Sequence, residues 1–211
     1  MNVVVVPVKE LSVAKSRLRP VLGDAGRERL AWAMAEHVVR QAVASPRVQR
    51  VIVVSADARV LERVRDLGAV ALVERPAHLA GGSLNQALDQ ARRSACEALA
   101  VALAVVVSDL PFLEAEDVSQ LFDELEGERC AVLAPAHDGI GLGALALKPP
   151  DALPFRFGEG VAFRHHAGEA AAANLRVRRL ERRGLAFDLD TPADLAALDT
   201  ERLIRAASSL A

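Results

Sequence analysis

Residues 104–107 read Ala-Val-Val-Val, four small or β-branched apolar side chains with no polar residue among them. A strand with one wet face would alternate, so this run is buried on both faces, as the central strands of a parallel sheet are. Such burial demands helices above and below, which narrows the chain to an α/β layer architecture. The run then ends abruptly. Asp109 is the first charge after it, and Pro111 stops the strand while biasing Leu110 away from helix. A carboxylate is thereby presented at the carboxyl end of a central strand, the edge where open α/β sheets bind ligands. The plain alternative is a cap for the helix starting near Glu114, but Asp109 lies too far from Glu116 and Asp117 to be the obvious one.

The rest of the chain repeats the alternation. Val3–Val8, Val51–Val54, Ala69–Val73, Cys130–Ala134, Ala144–Leu147, Val177–Leu180 and Leu185–Leu189 read as further strands. Helical spacing appears over Arg27–Ala44, from Asp57 to about Leu67, from Leu84 to about Ala98, from about Glu114 to Leu125, and over Val161–Ala173. Gly68 and Gly127 stand where helices end. The expected architecture is α/β: a single-domain, mainly parallel sheet over residues 1–211 with helices on both faces.

Composition removes several classes. The net charge of −2 is too close to balance for a general field that would hold nucleic acid. Tyr is absent and aromatics make up 3%, which leaves little with which to build base-stacking platforms. The longest apolar run, Ala98–Val107, is half of the roughly 20 residues a bilayer needs. Val3–Val6 follows Met1-Asn2 with no basic or small-residue leader pattern, and Cys96 and Cys130 lack CxxC spacing. A cytoplasmic protein is expected, and the two cysteines receive no chemistry.

Three features carry polar chemistry at strand ends. After the first strand, Lys9, Lys15, Arg17 and Arg19 fall within eleven residues. They make either a solvated positive loop or a cage for a phosphate group, Arg as a bidentate donor and Lys as a movable point charge. Gly81-Gly82-Ser83-Leu84-Asn85 opens a long helix and would let a ligand approach its amino end, a weak signal without the spacing of a known phosphate loop. Near the carboxyl end, Asp188 and Asp190 precede Thr191-Pro192-Ala193-Asp194, a well-marked helix start. At alternate positions of an extended segment their carboxylates share a face, where a divalent cation would relieve their repulsion. Adjacent His165 and His166 point to different sides of a helix, and His37 sits beside an apolar stripe, so neither suggests a metal site.

Cationic loop, lone aspartate and Asp-x-Asp together suit nucleotidyl transfer. Asp109, Asp188 and Asp190 would supply oxygen ligands to Mg²⁺, with Lys9, Lys15 and Arg17 holding a triphosphate for attack at the α-phosphorus. In order and spacing, Val6-Pro7-Val8-Lys9, Ala14-Lys15-Ser16-Arg17-Leu18, Val54-Ser55-Ala56-Asp57, Leu84-Asn85-Gln86-Ala87-Leu88, Ser108-Asp109-Leu110-Pro111, Asp138-Gly139 with Gly141, Phe157-Gly158-Glu159-Gly160, Arg164-His165 and Asp188-Leu189-Asp190-Thr191-Pro192 resemble the 2-phospho-L-lactate guanylyltransferases of deazaflavin coenzyme F-420 biosynthesis. The likeness spans nearly the whole chain. It implies a nucleotide-diphosphosugar-transferase-like, Rossmann-like fold, GTP as donor, and phospholactate, phosphoenolpyruvate or phosphoglycerate as acceptor, with pyrophosphate released. It further implies Asp109, Asp188 and Asp190 as Mg²⁺ ligands; with the residue reading above, Lys15, Arg17 and Asp109 are the expected catalytic residues and Lys9, Lys15, Arg17, Gly82 and Asn85 the expected nucleotide-binding ones.

The acceptor positions depart from the family. Those matching Leu142, Gly158 and Val161 line its acid site, where Leu142 replaces a threonine and Val161 a serine. Gly143 stands where the family has asparagine or a small residue. Neither Leu nor Val can hydrogen-bond an anion, and a buried polar group left unpaired costs about 1–3 kcal/mol. Three readings stand side by side: the family's guanylyltransferase, the same chemistry on a different and less polar acceptor, and a nucleotide-binding module without catalysis. The expected partners are GTP and a small phosphorylated acid, with no nucleic acid, no membrane, and a homodimer left open.

Overall fold

The computed structural model describes residues 1–75, 84–158 and 160–198. Their strands β1 (Asn2–Pro7), β2 (Arg50–Ser55), β3 (Val70–Val73), β4 (Ala102–Val106), β5 (Cys130–Pro135), β6 (Leu142–Lys148) and β7 (Arg176–Arg179) join in one sheet. Its order is β3-β2-β1-β4-β6-β5-β7. Every pairing is parallel except those β6 makes with β4 and β5. The helices are α1 (Arg19–Ala44), α2 (Ala58–Asp66), α3 (Leu84–Glu97), α4 (Ala115–Asp123), α5 (Ala162–Ala172) and the single turn α6 (Arg183–Ala186). Among the described residues no helix is long and apolar enough to cross a membrane.

Unbroken apolar strands are explained by what lies on each side. Val4 and Val6 of β1 pack with α1, α2 and α4, while Val3 and Val5 pack with α3 and α5. Successive side chains point to opposite faces, so a sheet sandwiched between helices needs apolar residues at every position. Val3, Val4, Val5, Val6 and Leu103–Val106 are fully buried accordingly.

Two sequence expectations change. Leu185–Leu189 is no strand: Arg183–Ala186 forms one helical turn and residues 187–190 run on without ladder bonds. Leu185 and Leu189 are wholly buried all the same, so the apolar pattern marked two core plugs. Leu185 seats its carbonyl so close to Gly143 that an added Cβ there would lie 1.7 Å from it, which leaves room only for glycine. Helix α1 begins earlier than Arg27, at Arg19, with a kink at Gly23, whose φ of 64° suits a residue without a Cβ.

Strand order fixes the site. From β1 the chain steps outward through β2 to β3, then crosses to β4 on the other side of β1. The loops after β1 and β4 therefore diverge and open a crevice at the carboxyl edge, the topological switch point where doubly wound sheets bind ligands. Antiparallel β6 starts at this same edge, because Val106 pairs with Ala144 and the Val107 N–H donates to Gly143 O at 3.0 Å.

Candidate active site

A cleft of about 550 Å³ opens at that edge. Lys9, Lys15 and Arg17 line it from the loop after β1, Asp109 from the end of β4, and Asp188 and Asp190 from the segment before the last helical residues.

Each element arrives for a local reason. The loop after β1 is held by the buried Arg27, whose guanidinium donates to Leu11 O at 3.1 Å, Ala14 O at 2.7 Å and Ser12 O. Asp57 grips the loop from the other side, accepting the Leu11 N–H at 3.1 Å while its second oxygen caps α2 through Arg59 N at 2.9 Å. Between these anchors Lys15 takes a left-handed conformation, φ 52° and ψ 39°, rare for a residue with a side chain and of a kind that collects at functional sites. Segment 187–190 is tied in by Leu189 N–H, which donates to Asp109 O at 3.1 Å, and by Asp194, which accepts from Asp190 N, Thr191 N and Thr191 Oγ1.

Charge converges on one ammonium. Lys15 Nζ lies 2.6 Å from Asp109 Oδ2 and 2.9 Å from Asp190 Oδ1, with its side chain only 8% exposed. Burial alone would lower its pKa; the carboxylates of Asp109 and Asp190 prevail and hold it above the usual lysine value. Arg17 reaches the other oxygen of Asp190 at 3.3 Å, a screened contact on an exposed side chain. Asp188 stands apart, with Oδ1 3.0 Å from His137 Nδ1. Its carboxyl is pushed above the usual range by burial first, then by the negative charges of Asp109 and Asp190.

The three aspartates thus share one cleft without closing on one point: among the described residues no set of three metal-capable side chains is ready to hold an ion. Like charges repel, and here a lysine separates two of them while a histidine holds the third. The donors nevertheless suit a hard cation, since all are carboxylate oxygens. Magnesium also commonly takes only one or two protein carboxylates and completes its shell with water and phosphate.

The opposite wall is mostly apolar. Leu142 and Phe157 line it, together with Gly158, whose φ is 76°. Val161, assigned to the acceptor on sequence, is 36% exposed and sits one residue ahead of α5, between Gly160 and Ala162 of the cleft lining but not itself among the lining residues. Asn85, assigned to the nucleotide, also lies outside the lining. Its amide pairs with the backbone of Phe157, accepting from N at 2.8 Å and donating to O at 3.1 Å. Gly82 falls outside the described residues. Arg27 and His137 escaped the sequence reading, and Asp57 reads there as the start of a helix and part of a motif, without its grip on the loop after β1. Arg27 gave no signal beyond a cation on a helix face.

Comparison with known proteins agrees with this fold. The family model described as guanylyl transferase CofC like matches residues 1–200. A phosphoenolpyruvate guanylyltransferase from Rubrobacter xylanophilus is 46% identical over 195 residues, 92% of each chain. A 2-phospho-L-lactate guanylyltransferase from Methanothermobacter thermautotrophicus is 34% identical over 194 residues, covering 92% of this chain and 82% of its own. Among solved structures, a Desulfovibrio desulfuricans protein assigned as a nucleotide-diphospho-sugar transferase superposes with a TM-score of 0.76 at 20% identity, covering 93% of this chain and 85% of its own. That fold was expected from the sequence. With the family model spanning nearly the whole chain and relatives well above 30% identity, the chain belongs to the guanylyl transferase CofC-like family of nucleotidyltransferases.

Proposed function

We propose that this chain is a single-domain guanylyltransferase that joins GTP to a small phosphorylated acid, phosphoenolpyruvate, 2-phospholactate or 3-phosphoglycerate, and releases pyrophosphate. The observation that carries the reading is the buried Lys15 ammonium between Asp109 and Asp190 at the switch point of the sheet. A cation balanced between two carboxylates is one that an arriving phosphate can draw away at little cost, since it exchanges one anionic partner for another. Lys15 and Arg17 then grip the α-phosphate side of the donor, with Lys9 at the rim of the cleft. Withdrawing Lys15 exposes oxygens of Asp109 and Asp190 to a divalent ion, with Asp188 adjoining, and Mg²⁺ fits this oxygen set best. Magnesium supplies neutralisation of the charge that develops on the leaving pyrophosphate. The acceptor's phosphate is itself the nucleophile, so no side chain need act as general base. A place in deazaflavin coenzyme synthesis, which the family resemblance implies, is part of the same proposal.

One observation favours a second acceptor class: Leu142 lines the cleft where the family carries a hydroxyl, which suits a less polar acid. Pyrophosphate release measured with GTP, ATP, CTP and UTP against a panel of phospho-acids separates the two readings. Turnover with GTP and one of the three named acids is expected. Turnover confined to an unrelated acceptor supports the second reading, and nucleotide binding without turnover on any acid overturns both.

A further inference from the structure

We infer that Asn85 and His166 are positioning residues for the acceptor side of the cleft: together they fix the backbone that presents Gly158. The inference rests on the proposed acceptor role of that loop. Phe157 and Gly158 line the cleft from a stretch, residues 155–158, that belongs to no helix or strand that would hold its amides. Two consecutive amides are nevertheless fastened, each by a side chain from a different helix. Asn85, second residue of α3, pairs with both backbone groups of Phe157, its Oδ1 2.8 Å from N and its Nδ2 3.1 Å from O. This is the pattern a neighbouring strand would offer, supplied by one side-chain amide. His166 of α5 is wholly buried, and its Nε2 accepts the Arg156 N–H at 3.1 Å. Its other nitrogen, Nδ1, stands 2.8 Å from Ala162 O, an acceptor only, so the proton sits on Nδ1 and the ring is locked in the tautomer that can receive Arg156. The Phe157 ring leans on the same imidazole, centroids 5.4 Å apart.

The consequence falls on the next residue. Gly158 lines the cleft at φ 76°, and its N–H belongs to the peptide whose carbonyl, Phe157 O, Asn85 holds, while His166 fastens the chain two peptides earlier at Arg156 N. Since Leu142 offers no hydroxyl, recognition of an anionic acid on this wall passes to backbone groups, which are useful only when held still. Asn85 therefore acts on the acid through the loop.

Asn85 is half-buried at the rim of the fold, so Asn85→Ala can be made without opening the core. KM for GTP and for phosphoenolpyruvate, varied separately, and amide exchange at Phe157 and Gly158 are the measurements. In Asn85→Ala the KM for the acid rises about tenfold, kcat and the KM for GTP stay within about twofold, and Phe157 exchange accelerates by a similar factor. Asn85→Asp, which keeps an acceptor for the Phe157 N–H but loses the donor, gives the same split to a lesser or equal degree. A rise in the KM for GTP in place of the acid returns Asn85 to nucleotide binding and overturns the inference, as does unchanged exchange at Phe157. Should the wild-type protein turn over no acid at all, the functional reading fails on its own, and the exchange measurement still decides whether Asn85 holds this loop.

Discussion

The two walls of the cleft recognise by different means. The proposed donor wall carries charged side chains: Lys15 and Arg17 on the loop after β1, which Arg27 and Asp57 hold by its carbonyls and one amide, with Asp109 after β4 and Asp190 from segment 187–190. On the proposed acceptor wall the cleft is lined by Leu142, Phe157 and glycine backbone, and polar side chains from α3 and α5 grip its amides. Charged side chains make a wall that survives small backbone shifts, since a lysine can follow its anion. A backbone wall has no such latitude. In the proposed reaction, chemistry common to all nucleoside triphosphates falls on the tolerant side, and discrimination among acids on the side where geometry decides.

The comparison breaks first at Lys15. Lys15→Ala should lower kcat by about 10³-fold, the scale of removing one preorganised charge from a transferring phosphoryl group, while circular dichroism stays native. Activity within tenfold of wild type would mean that the donor wall is not organised around this ammonium. Next is Arg27→Met, which keeps the apolar stem but leaves buried carbonyls of Leu11, Ser12 and Ala14 without their donor. A loss of about 3 kcal/mol is expected, read as a fall in melting temperature of about 6–12 °C, with a higher KM for GTP. An unchanged melting temperature would show the loop to be held by other contacts.

How far the sequence disclosed these walls follows from the same division. Asp109, Asp188 and Asp190 could be picked out because each is a charge at the end of an apolar or extended run, and strands buried on both faces announce themselves by composition. Lys15 and Arg17 were visible as cations, but nothing in their spacing says that Lys15 lies between two of the carboxylates. On the acceptor wall sequence position says less. Val161 falls at a family site yet only its neighbours Gly160 and Ala162 are among the lining residues, and Asn85 follows a glycine pair in sequence yet reaches 72 residues onward to Phe157. Long-range pairing of a side chain with backbone leaves no periodic trace. The same holds for the antiparallel entry of β6, which depends on which strand slot is vacant and not on the residues of β6 itself.

A smaller effect sharpens the acceptor side. Leu142→Thr adds a hydroxyl to the wall, and if the acid is met there, its KM should fall about fivefold while that for GTP holds, in keeping with about 1 kcal/mol for a neutral hydrogen bond. A KM for the acid that rises would indicate that the apolar surface itself contacts the substrate, which favours the less polar acceptor.

The smallest effect distinguishes the two anchoring schemes by their response to acid. Asn85 and its partners are neutral, but Asp57 is an ionised carboxylate whose pKa is lowered chiefly by the Arg59 side chain, against the opposing pull of burial, and further by the Leu11 and Arg59 N–H groups. A carboxyl depressed on folding adds stability above its unfolded value, near pH 4, and that contribution disappears as the pH drops through the folded value. Asp57 also needs both oxygens, one for Leu11 and one for Arg59, whereas asparagine has only one. Asp57→Asn should therefore cost about 1 kcal/mol at pH 7, a typical cap effect, because either the donor loop or the start of α2 loses its acceptor. As the pH is lowered toward 3 the gap between variant and wild type should narrow, since a protonated Asp57 likewise offers one acceptor and one donor. Urea midpoints of both proteins at pH 7, 5 and 3.5 test this, with Asn85→Ala as the control whose deficit stays constant. A constant gap for Asp57→Asn would mean that its charge contributes nothing to holding the donor loop.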